Sequence, residues 1–287
     1  MTGTNYGIVA GYDGSPGSDQ ALHWAAREAR ARDTTLTVCL AWAPGESALP
    51  ADSPVYGLMR QYGQEILDRG LSYAELALGP GRVRPALADG LAAEVLCERS
   101  RTAEMVVVGA RGPCELPHLL LGSVCWQVAG HASGRVVAIR GQWRPVSQSP
   151  GPVVAGLDGS AASLAALAFA FEEAALRDVP LLAVCAPADS AARLGEMAQR
   201  EEDFDHLMTV AEKEHPDVTV RRCVVAGTPR AELLTAARGA QLLVVGARGR
   251  GGVDGMRLGA VAQAVLHHAP CPVGVVHTDP ADVPPYS

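Results

Sequence analysis

The chain has 287 residues, of which 48% are hydrophobic and 19% are charged, and this composition predicts a globular protein long enough for two domains. Its net charge of −7 argues against nucleic acid as a partner, because phosphate backbones require a basic protein surface. The apolar runs are too short to span a bilayer, and the N-terminal residues do not resemble a signal peptide. We therefore expect a cytoplasmic protein with no membrane partner.

The chain repeats itself, which predicts two domains of one kind. Residues 8–15, IVAGYDGS, return as residues 153–160, VVAGLDGS. Residues 105–112, MVVVGARG, return as residues 242–249, LLVVGARG. A stretch rich in proline and glycine between the copies has little periodic pattern and is typical of a linker. We expect a first domain over residues 1–141, a linker over 142–151 and a second domain over 152–287.

Short apolar runs alternate with helical patterns in each copy. This alternation predicts a parallel sheet with right-handed crossovers and helices on both faces. Residues 44–57 of the first copy are rich in Pro, Gly, Ser and Asp and are predicted to be a loop. The second copy follows the same order and ends on a strand at 272–276. In the first copy we expect strands at 7–11, 35–41, 83–88, 104–108 and 135–139, and helices at 18–30, 62–78, 92–99 and 123–130.

The strand ends carry the residues that could bind a ligand, because open α/β sheets bind ligands beyond the carboxyl ends of their strands. Asp13 and Asp158 follow the first strands of the two copies. Each fourth strand is followed by the spacing G-x2-G-x9-G, whose last glycine begins a helix. Helix N-termini offer free N–H groups and a positive dipole end, which favour phosphate. The glycines are Gly109, Gly112 and Gly122 in the first copy and Gly246, Gly249 and Gly259 in the second.

Each of these features also has a purely structural explanation. Glycines after buried strands let the chain turn, and the side chains of Asp13 and Asp158 can form Asx turns that cap the next helix. The full glycine spacing occurs twice, however, each time with an aspartate after the first strand. We therefore favour phosphate binding over turn formation alone.

Taken together, these motifs resemble the universal stress protein family. The resemblance rests on VAGYDGS at 9–15, ALHWA at 21–25, HAPCPV at 268–273 and the glycine spacing, and it covers nearly the whole chain twice. It implies two tandem Rossmann-like domains (adenine nucleotide α-hydrolase-like), each a five-stranded parallel sheet of order 3-2-1-4-5. It also implies ATP or a related adenine nucleotide as the ligand, with Mg²⁺ carried by the nucleotide. The last strands would pair domains, either within the chain or in a homodimer.

The resemblance also implies the residues that hold the nucleotide in each copy. Asp13 would lie near the ribose or a phosphate-bound magnesium ion, and Ala41 would pack on the adenine. Arg111, Ser123 and Val124 would join the first-copy glycines around the phosphates. The first set is completed by Gly11 and Tyr12, and the second comprises Gly156, Leu157, Asp158, Gly246, Arg248, Gly249, Arg250, Gly259, Ala260 and Val261.

Both copies depart from the family pattern. The second copy has Ala260 where the family has Ser or Thr, and so lacks one hydroxyl donor. The first copy has Pro113, which has no N–H, and Glu115, which would add negative charge beside a phosphate. Because the second loop keeps its glycines and Arg250, the sequence favours the second copy as the nucleotide site.

We expect a stress-response regulator that binds a nucleotide, rather than an enzyme. The sequence supplies no convincing nucleophile, general base or metal cage, so no catalytic residue and no metal site is assigned. His267 and His268 lie near Cys271, but neighbouring helical residues point apart and no further ligand follows at useful spacing. Two alternatives stay open. One is an interaction module without nucleotide, and the other is an enzyme of adenylate chemistry or ATP hydrolysis.

Overall fold

The computed structural model describes residues 7–42, 53–112, 121–140, 151–185, 194–225, 227–250 and 257–278. The chain divides into two compact units, residues 1–139 and 140–287. Among the described helices, none is long and apolar enough to cross a membrane.

The first unit alternates strand and helix throughout, as the sequence predicts. Its strands pair in parallel in the order β3-β2-β1-β4-β5. The central strands are apolar along their length because helices cover both faces of a parallel sheet. The elements are β1 (Ile8–Gly11), α1 (Pro16–Ala31), β2 (Leu36–Trp42), α2 (Pro54–Leu78), β3 (Val83–Asp89), α3 (Ala92–Ser100), β4 (Met105–Gly109), α4 (Ser123–His131) and β5 (Arg135–Ile139).

The second unit repeats this arrangement. Its parallel strands lie in the order β10-β9-β6-β7-β8, which is the same order read from the opposite edge. The predicted strand order 3-2-1-4-5 is thus confirmed in both units. The elements are β6 (Val153–Leu157), α5 (Ala161–Arg177), β7 (Leu181–Cys185), α6 (Leu194–Glu214), β8 (Val220–Val224), α7 (Pro229–Ala236), β9 (Leu242–Gly246), α8 (Ala260–His268) and β10 (Val273–Val276).

This strand order brings the ends of the first and fourth strands together. In the first unit β1 pairs with β2 on one side and with β4 on the other. In the second unit β6 has β7 and β9 as its neighbours. In each unit the chain runs from the first strand to the second and third on one side, and then crosses to the fourth strand on the other side. A crevice therefore opens beyond the carboxyl end of the first strand.

The predicted loop over residues 44–57 is wrong in its last part, because α2 already begins at Pro54. The Ser53 side chain caps the helix by accepting a hydrogen bond from the Tyr56 N–H at 3.1 Å. Pro54 occupies the first helical position, where its missing N–H leaves no intrahelical bond unmade. Proline and serine thus mark a helix start here. Residues 44–52 of that loop, and 142–150 of the predicted linker, lie outside the described residues.

Candidate functional site

An apolar pocket of about 560 Å³ opens in the first unit at the carboxyl ends of β1 and β2. Its volume lies in the range of small-molecule sites, which are mostly apolar with a few polar groups. Among the described residues, Asp13 is the only carboxylate in its wall, and Ala41 lines it from β2. The pocket is lined by Asp13, Leu40, Ala41, Trp42, Leu58, Met59, Tyr62, Gly63 and Ile66.

Helix α2 supplies the outer wall of the pocket through large apolar side chains that remain in water. Leu58 is 67% exposed and Tyr62 is 64% exposed. Met59, on the same helical face, is exposed as well. A flat ligand in the pocket would cover part of this apolar surface, at about 25 cal/mol for each Å² removed from water. The wall is therefore suited to an apolar part of a ligand.

Local hydrogen bonds hold Asp13 in place after β1. Its Oδ1 accepts from the Ser15 N–H at 2.9 Å, which is an Asx turn, and its own N–H donates to Ser18 Oγ at 3.3 Å. Ser15 caps α1 by accepting from the Ser18 N–H at 3.2 Å. The structural explanation is thus correct in part: the Asx turn forms, but serine rather than aspartate caps the helix. Of the residues that the structure describes, none donates a hydrogen bond to Asp13 Oδ2.

The glycine-rich segment of the first unit lies beside this aspartate. Gly109 packs so closely on α1 that a Cβ there would lie 2.6 Å from the backbone of Gly17. A Cβ on Gly112 would lie 3.5 Å from Asp13 Oδ2. The Gly122 N–H donates to the Ala110 carbonyl at 2.7 Å. The chain therefore lies beside Ala110 again where α4 begins. Gly112 therefore lies beside Asp13, with Gly122 next to Gly112 and Gly109 against α1.

Other predicted residues of the first unit lie around or below this site. Ser123 is the first residue of α4 and is exposed, Arg111 is exposed, and Val124 is half-buried. Tyr12 is only 7% exposed, and its hydroxyl donates to Asp19 Oδ1 at 3.0 Å. Burial and this hydrogen bond raise the pKa of Tyr12 to about 12. Tyr12 packs against Gly70 of α2, and Gly11 packs on Leu96, so neither lines the pocket.

In the second unit the equivalent aspartate is bound to its own loop. Asp158 Oδ1 accepts from the Ser160 N–H at 3.0 Å and from the Ser160 hydroxyl at 2.6 Å. Asp158 Oδ2 accepts from the Arg250 N–H at 3.0 Å. Gly249 lies so close that a Cβ there would be 2.2 Å from Asp158 Oδ2. The loop and the aspartate thus contact each other directly.

Arg250 closes over the turn that follows Asp158. Its guanidinium donates to the Gly159 carbonyl at 3.4 Å. Gly159 has a φ of +75°, which favours glycine, and a Cβ there would lie 2.8 Å from the Arg250 guanidinium. Only glycine therefore suits this position while the arginine lies across it.

The ionisation of Asp158 reflects these contacts. Burial alone would raise the pKa of its carboxyl group. Hydrogen bonds from Ser160 and Arg250 to the carboxylate outweigh burial, and they hold the pKa below its ordinary value. The ionised form of Asp158 is therefore part of the folded second unit.

The remaining predicted residues of the second unit lie in positions similar to those of their counterparts in the first unit. Gly246 packs against Ala162, and Gly259 approaches Gly249 where α8 begins. Leu157 is buried and Gly156 packs on Leu233, so both belong to the core beneath the loop. Arg248 and Ala260 are exposed, and Val261 is half-buried.

Sequence reasoning missed most of the pocket wall. Leu58 and Met59 lie between the predicted loop at 44–57 and the predicted helix at 62–78, although they continue the helical spacing of Tyr62 and Ile66 towards the N-terminus. Extending that periodicity back to Pro54 would have found them.

Metal binding by protein side chains alone finds no support in the described part of the chain. No group of three or more His, Cys, Asp or Glu residues there could hold a metal ion. Mg²⁺ is commonly held by one or two carboxylates together with substrate phosphates. The single carboxylate of Asp13 beside the pocket fits that second arrangement.

Comparison with known proteins decides the family. The model of the universal stress protein family matches residues 7–140 and again residues 151–277. The chain belongs to the universal stress protein family. A universal stress protein of Mycolicibacterium smegmatis is 35% identical over 289 residues, covering 96% of this chain and 98% of the relative.

A solved universal stress protein from Archaeoglobus fulgidus shares the fold: it matches with a TM-score of 0.74 and 20% identity, over 96% of this chain and 99% of its own. Another, solved in complex with cAMP, covers 47% of this chain and 96% of its own at 26% identity and a TM-score of 0.39.

Proposed function

We propose that this universal stress protein binds ATP or a related adenine nucleotide in its first domain and acts as a stress-response regulator rather than as an enzyme. The observation that carries the proposal is the apolar pocket of about 560 Å³ with Asp13 and Ala41 in its wall. Both residues are ones for which the family resemblance implies contact with the nucleoside. The proposed binding site therefore rests on a cavity as well as on a motif.

The adenine would lie between β2 and α2. Ala41 is small enough to let a ring approach the strand, and Met59 and Tyr62 of α2 would cover its other face. Stacking on an aromatic side chain contributes about 1–3 kcal/mol per base where it has been measured by alanine substitution. These residues would supply most of the binding free energy for the base.

The ribose and phosphates would extend from the pocket past Asp13. The carboxylate would accept hydrogen bonds from ribose hydroxyls or share a phosphate-bound Mg²⁺. Gly112 and Gly122 let phosphate oxygens approach the backbone, and the N-terminus of α4 would face their negative charge. Ser123 would add a hydroxyl donor.

The choice of domain differs from the preference drawn from the loop sequences. The sequence favours the second copy because its glycines and Arg250 are kept. The pocket beside Asp13 supports the first copy. We weigh the cavity above the loop composition, because the base buries more apolar surface than any other part of the ligand.

The wider role follows the family. We propose that the protein acts in the cytoplasm and pairs domains through its last strands, within one chain or in a homodimer, as the family resemblance implies. Nucleotide binding would then report on the state of the cell by altering what the protein contacts.

Isothermal titration calorimetry with ATP and Mg²⁺ tests the proposal. We expect saturable binding by the whole chain and its loss in Ala41→Phe, whose ring would fill the pocket from β2. The matched control is Ala186→Phe, at the aligned position of the second copy, which should bind ATP as the native chain does.

Absence of saturation at millimolar ATP would refute the proposal and favour an interaction module without nucleotide. Steady release of ADP or pyrophosphate at a rate that turns the nucleotide over in seconds would instead favour an enzyme.

A further inference from the structure

The first nine residues of α2, residues 54–62, lie over the pocket without packing into the core. None of them is buried, and Leu58, Met59 and Tyr62 line the pocket while remaining exposed. The rest of the helix packs closely on the sheet. Its buried residues are Gly63, Leu67, Gly70, Ala74 and Leu78. Core packing therefore fixes α2 from Gly63 onwards, and other contacts must hold the leading segment, residues 54–62.

Tyr56 joins the leading segment to the ends of two strands. Its hydroxyl donates to Asp89 Oδ2 at 3.0 Å, and Asp89 is the last residue of β3. Its ring also packs against the Trp42 ring at the end of β2, with centroids 4.9 Å apart and an interplanar angle of 55°. Trp42 itself lines the pocket. One side chain of the leading segment thus contacts the carboxyl ends of both β2 and β3.

The fold does not require the contact between Tyr56 and Asp89. The repeat aligns Gly90 with Gly227, so Ala226 stands in the second copy where the first has Asp89. The second unit has the same strand order although its sequence offers no carboxylate at this position. The Tyr56–Asp89 hydrogen bond is therefore particular to the first copy, whose pocket it adjoins.

We propose that Tyr56 and Asp89 are positioning residues for the nucleotide pocket. Their hydrogen bond holds the leading segment of α2 against the sheet and so keeps Met59 and Tyr62 where they can cover the base. Apparent affinity for a ligand scales with the fraction of molecules that are in the binding-competent arrangement. A solvent-exposed hydrogen bond thus sets that fraction in the first copy. The inference rests on the proposed nucleotide-binding function and adds what fixes the wall of that site.

Tyr56→Phe tests the proposal, because it removes the hydroxyl group and keeps the ring beside Trp42. We expect the ATP affinity of the full chain, measured by titration calorimetry with Mg²⁺, to fall about fivefold, as for the loss of one net hydrogen bond. Tyr73→Phe is the matched control on the same helix. Tyr73 stacks on His23 and is not among the residues that line the pocket, so the affinity should stay within about twofold.

A double-mutant cycle shows whether the two residues act together. Asp89→Ala removes the acceptor and should lower ATP affinity by about the same factor as Tyr56→Phe. The double variant should then bind ATP no more weakly than either single variant, because both substitutions break one hydrogen bond. Losses that multiply in the double variant would show two separate contributions and would overturn the proposal.

Hydrogen exchange separates positioning from overall stability, and it needs no ligand. In Tyr56→Phe the amides of residues 58–62 should exchange at least about threefold faster than in the native chain. The amides of residues 67–78, which lie in the part of α2 that packs on the core, should exchange at the native rate. Equal acceleration along the whole helix would assign the contact to overall stability and would overturn the positioning role.

The outcomes separate the inference from the function on which it rests. Native ATP affinity in Tyr56→Phe would overturn the inference and leave nucleotide binding intact. Absence of ATP binding by the native chain would overturn the proposed function and, with it, the role of Tyr56 and Asp89 towards a nucleotide.

Discussion

The two copies share a strand order and an aspartate after the first strand, yet they use that aspartate differently. In the first copy Asp13 stands in the wall of an apolar pocket. In the second copy Asp158 binds the Arg250 amide and lies against Gly249. The same strand-end carboxylate thus lines a pocket in one copy and holds a loop in the other.

A second contrast lies under the loop, where α1 and α5 begin. Gly17 in the first copy corresponds to Ala162 in the second. A Cβ on Gly17 would lie 2.3 Å from the Arg111 carbonyl oxygen. The first loop thus lies against the backbone of α1 at a place where the second copy accommodates a methyl group. The first loop therefore approaches the backbone of its helix more closely than the second loop does.

The largest effect is expected from Gly17→Ala, which removes that close approach. The new methyl group would meet backbone rather than a side chain that can rotate away, so the loop must shift. Overpacking of this kind costs about 1–3 kcal/mol of unfolding free energy. Chemical denaturation followed by tryptophan fluorescence measures it in the first unit, where Trp24 of α1 is buried.

Ala162→Gly is the matched control in the second copy. This substitution removes a methyl group instead of adding one. It should cost only about 0.5–1 kcal/mol of unfolding free energy, because glycine has greater freedom in the unfolded chain. Equal losses in the two variants would show that the loops are supported alike.

A smaller effect is expected from alanine at the second loop glycine of each copy. In Gly249→Ala the Cβ would lie 2.2 Å from Asp158 Oδ2 and would break the hydrogen bond to the Arg250 amide. We expect a loss of about 1–2 kcal/mol. In Gly112→Ala the same distance is 3.5 Å, an ordinary contact, and stability should stay within about 0.5 kcal/mol.

Denaturation followed by hydrogen exchange in each unit would compare these two variants directly. A greater loss in Gly112→Ala than in Gly249→Ala would contradict the closer contact between loop and aspartate in the second copy.

The smallest effect concerns acid stability of the second unit. The folded pKa of Asp158 lies below its ordinary value of 3.8, so the ionised carboxylate stabilises the fold above about pH 4. That contribution is lost as the pH falls from 3.8 through the lower folded pKa. Because Asp158 is partly exposed, the contribution stays below about 1 kcal/mol.

The measurement is unfolding free energy against pH for the native chain and for Asp158→Asn. The difference between the two should be constant near neutral pH and shrink below pH 4. A difference that grows on acidification would have the wrong sign for a lowered pKa.

The alternation of elements and the repeated strand order were predictable from sequence because they depend on apolar periodicity. Buried parallel strands such as Met105–Gly109 are short continuous apolar runs, and their repetition at Leu242–Gly246 leaves little choice of topology. The start of α2 was not predictable from composition, since Pro54 and Gly57 are common in loops. Its capping serine, Ser53, was the usable signal.

The candidate site was predictable in its strand ends but not in its contacts. Sequence spacing places Asp158 and Gly249 on neighbouring strand ends, but it does not show which loop N–H reaches the carboxylate. The pocket depends on side chains of α2, such as Leu58 and Met59, that meet β2 only in the folded unit. Loop composition alone therefore favours the second copy, whereas our proposal of the first copy rests on this pocket.

Photoaffinity labelling with an azido-adenine analogue of ATP tests most directly that the first domain binds the nucleotide. The reactive ring should label the pocket wall, and peptide mapping should find the adduct in α2 near Tyr62 or in β2 near Trp42, with protection by unmodified ATP. An ATP-protected adduct confined to residues 151–277 would contradict the account, because it would place the base in the copy whose aspartate holds its own loop.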